Sequence, residues 1–176
     1  MNRSEMKKFV QSLSANEAAS VLQDMLGSDP VLIKKAYEAA VKVAGDVDAD
    51  AIRDEVFSSL DWLDMDDLNG RAGSTRYGYV EPTEAAWEIF EEALDPFIAE
   101  MKRNRERGLP AAAKAHCIGI VRGLLKYEKA SSSDFAGWVE DAPGAYVGTV
   151  VEEWKKGNPS SEDIAEVMGI VRGNPS

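Results

Sequence analysis

The chain has 176 residues, 44% of them hydrophobic and 29% charged, which suits one globular domain able to bury about two-thirds of its unfolded surface. Its net charge of −11 disfavours nucleic acid or an anionic membrane as the main partner, because both select basic faces. The single cysteine, Cys117, excludes an internal disulfide framework and a multi-cysteine zinc site, and it fits a reducing cytoplasm.

The opening MNRSEMKKFVQSL has charge but no continuous apolar stretch, so it does not read as a signal peptide. No apolar run approaches the roughly 20 residues of a membrane span. Met6, Phe9, Val10 and Leu13 form one helical stripe. Ser14 and Glu17 form a capping box ahead of Ala18, Val21, Leu22, Met25 and Leu26, and Gly27 closes that helix. Asp29-Pro30 supplies the N-cap and first position of a third helix through Ile33, Ala36, Tyr37 and Val43, stopped by Gly45. Asp48 begins a fourth with Ile52, Val56, Leu60 and Leu63. Short turns predict that these four pack as antiparallel neighbours.

Pro82 and Thr83 open a long helix carrying Trp87, Phe90, Leu94, Phe97, Ile98 and Met101, which Pro96 should kink or split. Lys102, Arg103, Arg105 and Arg107 at its end complement the helix dipole. Leu109-Pro110 starts the next helix, to about Tyr127. SSSD at 131–134 caps another with Phe135, Trp138 and Val139, and DAPG at 141–144 interrupts it before Tyr146, Val150 and Trp154. Ser160 and Asp163 cap a last helix with Ile164, Val167, Met168 and Val171. No segment alternates like a strand, so no sheet is predicted. The expected fold is all-α, with about eight antiparallel helices in a superhelix of hairpins or an irregular bundle. One domain, 1–176, is expected, with 1–67 and 82–173 as sub-units joined by a loop at 68–81.

The pentapeptide Gly119-Ile-Val-Arg-Gly123 recurs as Gly169-Ile-Val-Arg-Gly173, an offset of 50 residues, as stacked helical units show. GNPS also occurs twice, at 157–160 and 173–176, and reads as a helix stop. The helical glycines suggest close helix approach.

Three segments, LQDMLGSDPVLIKKAYEAA, ERGLPAAAKAHCIGIVRGLL and EDAPGAYVGTVVEEW, resemble in style and order the helical region that follows the zinc finger in SWIM-type proteins. The resemblance spans about residues 5 to 155. It implies a superhelix of tetratricopeptide or HEAT-like hairpins built for protein contacts. The chain lacks a cysteine-rich finger, so no zinc or nucleic-acid role carries over.

His116 and Cys117 are adjacent, and helical neighbours point about 100° apart, so they do not make a nucleophile–base dyad. Asp61 with Asp64, Glu88 with Glu91, and Glu92 with Asp95 each share a helix face. All-α nucleotide pyrophosphohydrolases similarly hold Mg²⁺ with paired acids, making such an enzyme the competing function. The alternative for these acids is a solvated face. DMDDLNGRAG at 64–73 is not a calcium loop: Gly70 in sixth place puts Met65 first and Arg76 twelfth, where a bidentate Glu belongs.

The 68–81 segment is the best binding candidate. Arg71 and Arg76 suit a phosphate or carboxylate, or an RNA loop, while Tyr77 and Tyr79 suit an interface. Otherwise the tyrosines tuck against the bundle and the arginines pair with Asp64, Asp66 and Asp67. The leading expectation is a non-catalytic scaffold, without cofactor, that binds a protein through the concave side or this segment. A homo-oligomer is compatible with that reading.

Overall fold

A computed structural model describes residues 2–27, 29–76 and 78–173. The chain divides into two compact units, Met1–Val43 and Ala44–Ser176.

The first unit holds α1 (Arg3–Gln11), α2 (Ala15–Leu26) and most of α3 (Pro30–Gly45). Each helix start is secured locally. The Asn2 side chain accepts from the Glu5 amide at 2.9 Å, while Glu5 accepts from the Asn2 amide at 2.7 Å. Ser14 and Glu17 reciprocate in the same way, and Asp29 accepts from the Val31 amide at 2.8 Å. Such caps satisfy amides that have no intrahelical partner, so these helices start without tertiary help.

None of the three has a buried residue. The expectation of antiparallel packing is corrected here: among the described residues, α1, α2 and α3 show no extended packing on one another. The stripes are present, and their large side chains, such as Phe9, Val10 and Tyr37, are exposed.

The second unit is built around one central helix. It contains α4 (Ala49–Asp61), α5 (Met65–Arg71), β1 (Gly73–Thr75), β2 (Gly78–Val80), α6 (Pro82–Glu106), α7 (Pro110–Ala130), α8 (Ala142–Lys155) and α9 (Ser161–Val171). A 3-10 turn, Asp134–Trp138, precedes α8. Helix α7 packs against α4, α6, α8 and α9 and is apolar on nearly every side, as a core helix must be.

The α4–α7 contact is set by the first GIVRG. A β-carbon on Gly119 would stand 2.6 Å from Ile52 Cβ, and one on Gly123 would stand 2.6 Å from Val56 Cγ1. Ion pairs flank that seat: Arg122 reaches Asp50 at 3.3 Å and Lys126 reaches Asp54 at 3.0 Å. Arg53 also binds both acids from within α4. The second GIVRG does a different job. Its first three residues end α9, Arg172 is the C-cap, and Gly173 follows with φ +78°. The GNPS that follows runs into residues 174–176, outside the described residues.

Three further expectations are corrected. First, a two-stranded antiparallel hairpin exists, in the register Gly73↔Val80, Ser74↔Tyr79 and Thr75↔Gly78. Strands of three residues are too short to display alternation, and Gly73 and Gly78 supply φ of +91° and +134° that other residues resist. Residues 65–71, placed partly in a loop, are helical because Asp64 caps them, accepting from the Asp66 and Asp67 amides at 2.9 and 3.0 Å.

Second, of the kink or split expected at Pro96, the split does not occur, and α6 runs unbroken. The carbonyl that loses its donor belongs to Glu92, and both residues are exposed, so water can satisfy it. Third, the segment after SSSD forms a 3-10 turn, and Pro143 of DAPG sits in the first turn of α8, where a proline is tolerated. Among the described residues the helices are nine, and none is long and apolar enough to cross a membrane.

Candidate functional site

The hairpin segment was the leading site, and its two best-placed residues have separate fates. Arg71, in the last turn of α5, forks onto the Glu92 carboxylate of α6 through two bonds of 2.7 and 2.6 Å. That hydrogen bond raises the guanidinium further and holds Glu92 below its usual range. The arginine therefore ties the hairpin's root to α6, and its partner is Glu92 rather than the acids at 64, 66 and 67. Tyr79 is 64% exposed on β2. Arg76 is exposed in the turn between the strands, and Tyr77 lies outside the described residues. Because the Arg71–Glu92 pair is half-exposed, Arg71→Gln is expected to lower stability by no more than about 1 kcal/mol. Hydrogen exchange should nevertheless accelerate across the hairpin alone.

The three acid pairs do not come together in one group among the described residues. Asp61 accepts the Ser131 hydroxyl at 2.6 Å, and Asp64 caps α5. Glu92 holds Arg71, while Glu91 and Asp95 act on Tyr146, whose hydroxyl is pushed up to about 12 by burial and then by those carboxylates. Glu88 is exposed on α6. Among the described residues no three His, Cys, Asp or Glu side chains form a group able to hold a metal ion. These acids face protein donors or solvent instead.

Cys117 is fully buried, and desolvation pushes its thiol up to about 12. His116 Nδ1 lies 3.1 Å from the Ala112 carbonyl oxygen and 3.4 Å from the buried Asn104 side-chain amide. The two residues do not form a dyad. A thiol that ionises near 9.0 when unfolded and near 12 when folded stabilises the native state below pH 9.0, and this contribution fades as pH rises towards 12. Cys117 is accordingly expected to resist a disulfide reagent at pH 8 and to react on denaturation. Fast labelling of the native protein would contradict this.

Several clefts open on the second unit, including two near helix ends. One of about 540 Å³ lies where α6, α7, α8 and α9 meet, walled by Pro110, Ala111, Trp154 and Pro159. Both cations at its rim are engaged: Arg105 donates to the Glu153 carbonyl and carboxylate at 2.7 and 2.9 Å, and Lys114 binds Asp163 and Glu166, each at 2.5 Å. The other, about 440 Å³, is lined by Asp61, Asp64, Asp66 and Asp134 beside Trp62, which is 85% exposed. Of the carboxylates in the second cleft, Asp61 accepts from Ser131 and Asp64 caps α5.

What the molecule does present is apolar surface on the first unit. Phe9 is 61% exposed and Tyr37 66%, and Val10, Leu22, Met25 and Ile33 stand out beside them. Sequence reasoning named these residues as helix stripes and assigned them to an internal core. The signal it lacked was the absence of a second stripe of the same chain laid against them.

No family model matches the chain, and no curated protein or solved structure matches it. The class defined is that of an all-α protein with a tightly packed helical unit and a second unit whose apolar helix faces stand open.

Proposed function

We propose that this chain is a non-catalytic helical module that works by binding another protein chain, with α1–α3 as its docking element. One observation carries the reading: three capped, amphipathic helices bury none of their residues, and their apolar stripes face outward. Apolar area exposed on several helices at once is the mark of an interaction surface, since a monomer gains by covering it. The engaged cations of the second unit, and carboxylates that cap helices or hold protein donors, support a structural rather than a chemical role for it. The likeness to the helical region of SWIM-type proteins points the same way, towards protein contacts in a reducing cytoplasm.

The test uses the full chain. An environment-sensitive dye is expected to bind the dilute wild type, and binding is expected to be lost in Phe9→Asp/Leu22→Asp without a change in the melting of the second unit. Mg²⁺ with nucleotides should leave the melting temperature unchanged. A rise with Mg²⁺ plus a nucleotide would overturn the reading in favour of a hydrolase, because a ligand of the native state must stabilise it.

A further inference from the structure

We propose that the occupant of α1–α3 is the same surface of a second copy, so that the protein is a homodimer closed through its first unit. The inference rests on the docking reading above and names the partner.

The area suffices. A stable interface buries about 800 Å² on each partner. Large apolar side chains such as Phe9, Val10, Leu22, Met25, Ile33 and Tyr37, each about half exposed or more, offer surface of that order. They lie on three consecutive helices of one compact unit rather than scattered singly over the chain.

Charge selects the partner. Helix α1 holds Arg3, Lys7 and Lys8 against Glu5; α2 holds Glu17 and Asp24 with no cation; α3 holds Lys34, Lys35 and Lys42 against Glu38. The helices thus run +2, −2, +2. A two-fold interface must be complementary to itself, and this alternation lets α2 of each copy lie beside a cationic helix of the other. Across residues 1–43, six cations against five acids leave +1, so the remaining residues carry −12 of the chain's −11. Two copies that meet through the first unit bring near-neutral surfaces together. Any pairing through the acidic remainder would be repelled.

Sedimentation equilibrium and light scattering on the full chain test this. The expected mass is twice 19.2 kDa, falling towards the monomer on dilution. Phe9→Asp/Tyr37→Asp is expected to give a monomer with an unchanged melting transition of the second unit. Lys7→Glu/Lys8→Glu should weaken association about tenfold at low salt, and Trp62→Asp, in the second unit, should leave the dimer intact. A dimer that survives Phe9→Asp/Tyr37→Asp overturns the proposal. A wild-type monomer that still binds dye through α1–α3 overturns self-pairing but leaves the docking reading, with a foreign chain as partner. A monomer that binds no dye overturns both.

Discussion

Phe90→Ala is expected to remove about 3–5 kcal/mol of unfolding free energy, the range found for deleting a buried aromatic ring. Phe90 lies on α6 with no exposed surface, and its ring centroid is 5.6 Å from those of both Tyr127 on α7 and Tyr146 on α8. The planes are tilted by 60° and 42°, the inclined geometry that aromatic quadrupoles favour. Truncation therefore removes apolar burial and two ring contacts, and it leaves a void where three helices meet. A domain of ordinary stability holds about 5–15 kcal/mol in all, so the variant should lose about a fifth of it or more. Urea denaturation followed by fluorescence measures the loss, and Phe90→Leu should fall between the two. The same deletion at Phe9, which is 61% exposed, should stay within about 0.5 kcal/mol. A loss below about 1 kcal/mol at Phe90 would show that this three-helix junction does not hold the core.

The second large effect has a sign that depends on position. Within a helix, Gly→Ala ordinarily stabilises by up to about 1 kcal/mol. Gly148→Ala in α8 should do so, since its new methyl meets nothing within 4 Å. Gly119→Ala should lose about 2–3 kcal/mol instead, overpacking outweighing the propensity gain. Its methyl would come within 2.6 Å of Ile52 Cβ and 2.8 Å of the Ala49 carbonyl oxygen. One neighbour is β-branched and the other is backbone, so neither can step aside by a rotamer change. Thermal melts of the two variants should move in opposite directions. If both rose, α4 would have room to slide on α7, and the close approach would not be a fixed feature.

The helices were legible because their ends are written in short local code. Ser14 with Glu17, Asp48, Ser160 and Pro82 each satisfy or anticipate the first turn without reference to anything distant. The hairpin escaped because three-residue strands carry no period, leaving two glycines as its only trace. The site was harder still. Arg71 reads identically whether it waits for a phosphate or is locked to Glu92 across 21 residues of chain. The stripe of Phe9, Val10 and their neighbours likewise has the same spacing whether it faces its own core or another molecule. Periodicity shows that a face is apolar and leaves open what lies against it.

The seat of α4 on α7 also bears on how the chain is made. The partners Asp50 and Arg122 stand 72 residues apart. At about 5–20 residues per second on the ribosome, α7 is synthesised roughly 4–14 s after α4. Through that interval Ile52, Val56 and Leu60, all buried in the finished fold, belong to a nascent segment whose docking glycines have not yet been translated. The seat of α4 on α7 can therefore close only after α5 and α6 have been made, so the chain holds that face of α4 open while two further helices emerge.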